Sequence, residues 1–495
     1  MEKKNSLNEN EMADTNLNKK TISTNLLWRF LERFGAYITS FIISVVLARI
    51  IDPSTYGTVA LMTVFIAFLD VFVTGGFANS LIQDKTTTEK DFNTLFWFNI
   101  IFSLLLYVVL FFTSPLIATY YEKESLKWLI RVSGISLIIN GVKNLQFAYV
   151  SKNLQFKKFF FATIGGTVVS GIIGIVLAVN GFGAWALVVQ SVANHFIDSI
   201  ILWFIIKWHP KFQFCFKLLV KHFSFGWKIL LYKIIYNISN SIRQLAIGKK
   251  YSDSDLAFYN KGKSYPNIIG QNIYNSVNSV MYPVLARTQD NYKRFNEILY
   301  KSLELNIFIV LPMMVGFFCV SDSFIYILLG EKWIACVPYV KIFCIVVFLN
   351  SIEAIISSGP LALGKSTATM VLGIVECLIN IVLLIVAIPF GTIAIAYSMV
   401  ASSAINCIIY FVYLHKLTRF SVFKLTARSF VSIVSSILMG IVVYSLLNLI
   451  LPYYVIFILQ IITGISFYFL LSKVFCNCSL PYCLSLLKDI IKKRN

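Results

Sequence analysis

Three stretches of the chain place polar side chains at three- and four-residue steps inside otherwise apolar runs. Arg29, Glu32, Arg33, Tyr37, Ser40 and Ser44 form the first, Lys233, Tyr236, Asn237, Asn240, Arg243 and Gln244 the second, and Asn267, Gln271, Asn275 and Asn278 the third. At 3.6 residues per turn each set shares one helical face. Arginine suits phosphate, through bidentate charge-assisted hydrogen bonds, while amides and tyrosines suit the hydroxyls of a sugar. Charges in hydrocarbon are expensive and normally face a bundle interior or a wet cavity, so these faces are the candidate binding surface. Arg29 and Arg33 begin a span and Arg243 lies near the end of one, so snorkelling to the interface is the competing explanation for them. Lys233 lies deeper.

Further charges fall inside apolar runs: Asp70, Arg131, Lys143, Asp198, Glu304, Glu353 and Glu376. The carboxylates Asp70, Asp198, Glu304, Glu353 and Glu376 are candidates for ion or proton coupling, and for each of them a structural ion pair is the alternative.

The elements that position these residues follow from composition. Of 495 residues, 58% are hydrophobic and 13% are charged, and the mean hydropathy is +0.76. Soluble domains are about half apolar and a quarter charged, so a water-soluble globular protein is excluded, as are disordered and disulfide-stapled classes. Residues 1–25 are polar, lack the apolar core of a signal peptide, and read as a disordered cytoplasmic tail. Apolar runs long enough to cross about 30 Å of hydrocarbon then follow at 28–50, 57–82, 92–119, 127–148, 159–180, 183–206, 225–247, 266–286, 297–320, 336–358, 367–388, 391–414, 428–450 and 453–474. The expectation is an all-α polytopic membrane protein of about fourteen transmembrane helices with both termini cytoplasmic. The eighth run is the most polar. Keeping it places the cationic segments 287–296 and 415–427 inside, and more than half of the 43 Lys and Arg then lie on the cytoplasmic side. The net charge of +20 thus mainly reports topology, not nucleic-acid binding.

Two pairs of segments repeat. Ala48–Ala60 resembles Gly248–Asn260, each a small residue, a cation and a polar turn leading into a helix, and Phe182–Leu187 resembles Phe390–Ile395. Nearly equal offsets predict two six-helix lobes, 26–206 and 225–416, related by a parallel pseudo-twofold and joined by the cationic linker 207–224. Residues 417–495 add two extra helices and a basic C-terminus.

Gly359-Pro360-Leu361-Ala362-Leu363-Gly364-Lys365-Ser366 fits the nucleotide-binding pattern G-x-x-x-x-G-K-[ST]. That pattern has meaning only between a strand and a helix, and here it joins two spans, so a nucleotide is not expected. Cys476, Cys478 and Cys483 match no zinc spacing, and His195, His209, His222 and His415 show no ligand spacing. Neither a metal, another cofactor nor an enzymatic centre is expected.

Ser44–Pro53 with Tyr56-Gly57 and Met62–Ala67, Gly75-Gly76-Phe77, Ser80–Gln83, Phe96–Asn99, Gly181–Val188 and Ala257–Gly262 resemble bacterial polysaccharide repeat-unit flippases. The group suggested is that of the colanic and teichuronic acid exporters, in the superfamily of the MATE drug exporters and lipid II flippases. The resemblance covers about residues 26–420. It implies movement of an undecaprenyl-diphosphate-linked oligosaccharide from the inner to the outer leaflet of the bacterial cytoplasmic membrane by alternating access, for capsule, O-antigen or exopolysaccharide synthesis. Polysaccharide polymerase machinery is an implied partner. Arg29 and Arg33, with Arg49 and Arg243 less securely matched, correspond to cations that hold pyrophosphate in the lipid II flippases. A MATE-like exporter of small molecules would share the fold but favour acidic, aromatic walls. A membrane glycosyltransferase or polymerase would need a long catalytic external loop, and the longest here, about 248–265, is short.

Overall fold

The computed structural model describes residues 19–84, 86–153, 155–206 and 208–475, with the side chains of 19–27, 225, 228, 229, 232, 236 and 271–280 excepted. Most of the tail expected at 1–25, the side chains of Tyr236, Gln271 and Asn275, and the cysteines at 476–483 therefore lie outside what is described. Every regular element among the described residues is helical: α1 (Lys19–Ile50), α2 (Pro53–Thr74), α3 (Phe77–Gln83), α4 (Glu89–Tyr120), α5 (Glu124–Lys152), α6 (Phe156–Val179), α7 (Ala184–Ile205), α8 (Phe216–Lys250), α9 (Asp253–Ala286), α10 (Tyr292–Leu329), α11 (Val337–Ala362), α12 (Ser366–Ala387), α13 (Thr392–Thr418), α14 (Val422–Ser445) and α15 (Tyr453–Val474), with short 3₁₀ turns at Glu331–Cys336, Ile388–Phe390 and Leu446–Asn448.

Twelve membrane spans among the described residues are long and apolar enough to cross a bilayer. They coincide with the expected runs apart from the seventh and eighth, which fall on α8 and α9. These two form helices of 35 and 34 residues, ample in length at 1.5 Å per residue, but their polar stripes set them apart in composition. The chain folds as two compact units, 1–249 and 250–495. Helix α8, which the sequence repeat groups with the second lobe, falls within the first unit up to Lys249.

The repeated segments carry repeated geometry. Helices α1 and α8 end at Ile50 and Lys250, and α2 and α9 begin three residues later behind N-caps with nearly identical backbones, Asp52 at φ −74°, ψ 151° and Ser252 at φ −73°, ψ 157°. Pro53 occupies the first position of α2, where its missing N–H costs nothing. Asp255 and Ser252 complete a reciprocal capping box on α9. In the second pair, α7 and α13 start immediately after Gly183 (φ +52°) and Gly391 (φ +105°), conformations that a Cβ would disfavour.

The second expected span differs in detail. It breaks at Gly75-Gly76 into α2 and α3, because α8 approaches there: a Cβ on Gly76 would lie 2.6 Å from the Gly226 carbonyl oxygen. Lipid tails are as apolar as leucine, so contacts within a unit rely on small residues and interhelical hydrogen bonds. Asn99 on α4 donates to the Gly141 carbonyl on α5 at 2.9 Å. In the second unit Asn306 on α10 donates to Ser351 on α11 at 2.9 Å. Each unit also has an aromatic-rich core, around Phe92, Phe96 and Trp208 in the first and Phe295, Tyr300 and Phe420 in the second.

Candidate functional site

The charges of the first unit converge on a polar seam contributed by α1, α2, α5, α7 and α8. On α5, Asn140, Lys143, Asn144 and Phe147 recur at helical spacing and present one face. Asn140 donates to the Asp70 carboxylate on α2 at 2.8 Å, and Asn144 donates to the Val73 carbonyl at 3.0 Å. Lys143 forms an ion pair with Asp198 on α7, whose side chain is 5% exposed. The Asp198 Oδ1 atom has no hydrogen-bond partner among the described residues. That leaves a buried acceptor for a proton, a water or a ligand donor. Lys233 on α8 is half-buried, and both it and Lys143 act on the charge of Asp70.

Glu32 on α1 is buried and pairs with Arg29, which reaches the same face of α5 at Phe147. Arg29 binds Glu32 at 2.7 Å, and its guanidinium lies 5.5–5.6 Å from the rings of Phe147, Phe156 and Phe159. Cation–π contact and an ion pair together fix Arg29 against α5 and α6. Arg33 and Tyr37 are exposed on the same helix, as is Arg49 at its far end. Arg243 is 3% exposed, so its side chain is buried.

The remaining sequence candidates lie elsewhere. Asn240 is exposed, and Asn267 donates to the Lys263 carbonyl of its own helix at 2.8 Å. Glu304 accepts from Arg428 at 3.2 Å in a surface network where Arg428 and Lys424 also grip Glu297. Glu353 and Glu376, on α11 and α12, stand close enough for their charges to interact. All but Asn240 belong to the second unit. Among the described residues no three His, Cys, Asp or Glu side chains gather as metal ligands. The nucleotide-like motif begins inside α11, where Gly359 and Pro360 are buried, and follows a helix instead of a strand.

Asn140 and Asn144 escaped the sequence reading, although their spacing with Lys143 and Phe147 marks one face of α5. So did a buried Ser-His-Asp cluster. His222, 1% exposed, lies 2.9 Å from Asp91 Oδ1 through Nε2 and 2.7 Å from the Ser80 hydroxyl through Nδ1. A carboxylate only accepts, so Nε2–H donates to Asp91. Asp91 also accepts the Thr88 backbone N–H and hydroxyl at 2.8 and 2.6 Å, capping α4, where the helix dipole favours its charge. Ser80 is itself buried, at 5% exposure, so it has no access to a substrate, and the cluster ties the start of α8 to α3 and α4. Beside it, Lys221 and Thr86 hydrogen-bond Asp84 and hold its carboxyl well below the usual range. His222→Ala leaves Ser80 and Asp91 short of a partner in a dry setting, and a loss of about 2–4 kcal/mol is expected. Thermal unfolding of the purified protein checks this, and an unchanged midpoint would remove the cluster as a fastening.

The all-helical fold is similar to that of the solved structure of the Lipid II flippase MurJ, inward closed conformation. The two agree with a TM-score of 0.71 at 17% identity, over 91% of this chain and 98% of that one. Residues 46–338 match the family model described as polysaccharide biosynthesis protein, and the chain belongs to that family. Among relatives, the teichuronic acid biosynthesis protein TuaB of Bacillus subtilis is 28% identical over 60% of this chain and 62% of its own. The chain thus spans about three fifths of that relative's length. An uncharacterized membrane protein in the cps region of Klebsiella pneumoniae is 26% identical over 81% of this chain and 83% of its own.

Proposed function

We propose that this protein is a flippase that carries an undecaprenyl-diphosphate-linked oligosaccharide from the inner to the outer leaflet of the bacterial cytoplasmic membrane by alternating access. Membership of the polysaccharide biosynthesis family over residues 46–338 carries the reading, and similarity to TuaB and the shared fold of MurJ support it. In this reading both termini are cytoplasmic, and segments 26–206 and 225–416 are the two lobes, joined by 207–224 and extended by 417–495. The chain moves its substrate without altering it and passes the repeat unit to polymerase machinery on the far side.

The chemistry of the first unit fits such a cargo. A diphosphate needs cations in a site of low dielectric, where each charged hydrogen bond gains strength. The oligosaccharide needs carboxamides and hydroxyls. Arg29, Arg33, Lys233 and Arg243 supply the first and Tyr37, Tyr236 and Asn240 the second, with Asn267, Gln271 and Asn275 of the second unit proposed as further amides for the sugar. Arg49 is a further cation on the same helix as Arg29. Asp70 and Asp198, within the seam, and Glu304, Glu353 and Glu376, in the second unit, are the carboxylates proposed to couple transport to an ion. The MATE-like reading fares less well, since the polar stripes of α1 and α8 hold more cations than acids.

Deleting the gene is expected to trap lipid-linked repeat units in the inner leaflet and abolish surface polymer, with synthesis of the lipid-linked unit intact. Leaflet distribution, read with a membrane-impermeant sugar-specific reagent, tests this. An unchanged distribution together with normal polymer would refute the reading.

A further inference from the structure

The second unit contains an apolar slot that the transport reading does not use. A cavity of about 690 Å³ lies among α10, α11 and α14, walled by Leu311, Met314, Phe348, Ile437 and Ile441. A second, of about 610 Å³, adjoins it, and the two share Phe318 and Ile345. One ion pair stands where they meet: Lys341 on α11 reaches Asp322 on α10 at 2.7 Å. The Lys341 ammonium also lies 5.7 Å from the ring of Phe318 and 5.6 Å from that of Tyr444, both of which line the first cavity. The pair keeps 21% and 36% of its side chains exposed, so both side chains remain partly open to another molecule.

A slot of this size with apolar walls holds hydrocarbon in preference to water. Its rim decides which headgroup follows. Lysine alone would attract any phosphate, but Asp322 beside it offsets that attraction for a purely anionic lipid. A headgroup carrying both a phosphate and an ammonium meets each charge with its opposite, phosphate on Lys341 and ammonium on Asp322. Lys341 and Asp322 lie near the Glu331–Cys336 turn, on the side that the charge distribution of the sequence places outside, and Tyr444 of the first cavity and Tyr397 of the second supply the amphipathic rings suited to an interface. We propose that this slot binds a zwitterionic phospholipid of the outer leaflet, with an acyl chain among α10, α11 and α14 and its headgroup on the Lys341–Asp322 pair. The proposal is independent of the transported cargo.

Full-length protein purified in detergent and offered phosphatidylethanolamine or phosphatidylglycerol with matched acyl chains, with retention read by native mass spectrometry, tests it. Phosphatidylethanolamine should be retained about fivefold better, the worth of one partly exposed ion pair. Asp322→Asn should erase that preference, and Lys341→Gln should lower retention of both lipids. Ile441→Trp, which fills the slot from a lipid-facing position, should also lower both. Equal retention of the two lipids by the unaltered protein overturns the proposal without recourse to any variant. Full displacement of phosphatidylethanolamine by equimolar polyprenyl phosphate overturns it too, since the slot would then be a seat for the isoprenoid tail.

Discussion

Asp198→Ala is expected to destabilise the first unit by about 2–4 kcal/mol and to abolish transport. Removing one partner of a fully buried ion pair costs about 3–5 kcal/mol, because the other charge stays desolvated and uncompensated. Lys143 keeps 23% of its side chain exposed, and that residual solvation lowers the figure. Loss of stability alone would not separate a structural pair from a working one, so the double replacement decides. Lys143→Met combined with Asp198→Leu exchanges the pair for apolar groups of similar size, and stability should recover to within about 1 kcal/mol. Transport should not recover, because the Asp198 acceptor and the lysine that polarises it are both gone. Thermal unfolding and the leaflet assay, run on matched amounts of protein, give the two readouts. A double variant that transports normally would make this pair a fastening between α5 and α7 and nothing more.

How much of this could be read from the chain depends on how far apart the partners lie in it. Local signals were legible: the polar turns at 48–60 and 248–260 that lead into α2 and α9, the repeated segments at the start of α7 and α13, and the polar stripe on α1. Each is specified by residues within one or two turns. The seam was legible only as separate charges, since Asp70 meets Asn140 and Lys143 meets Asp198 across gaps of 70 and 55 residues. Hydropathy marks such residues as costly without saying what offsets the cost. Glu304 illustrates the same limit, as its partner Arg428 is 124 residues away and could not be read from the sequence around it. Arg243 had two readings on the sequence because position along a helix says nothing of what packs beside it. The Gly75-Gly76 break likewise needed α8, more than 140 residues downstream, to explain why no side chain is tolerated there.

Lys233 is the seam cation best placed to take a phosphate. Arg29 is committed to Glu32, and Lys143 to Asp198. Lys233 is half-buried and lies within the electrostatic reach of Asp70, which already accepts a hydrogen bond from Asn140, so engaging the ammonium with a diphosphate leaves that carboxylate with a partner. Lys233→Ala is therefore expected to lower the rate of repeat-unit export by about tenfold or more, equivalent to about 1.4 kcal/mol or more of lost substrate interaction. Stability should change little, because the half-buried ammonium costs desolvation that alanine does not incur. Lys233→Arg keeps the charge and adds a bidentate donor, so it should retain much of the wild-type rate, whereas Lys233→Gln, of similar length but neutral, should behave like alanine. Export measured by the impermeant sugar reagent at equal protein levels separates these outcomes. Should glutamine match arginine, length and not charge is what the position supplies, and the diphosphate must be held elsewhere.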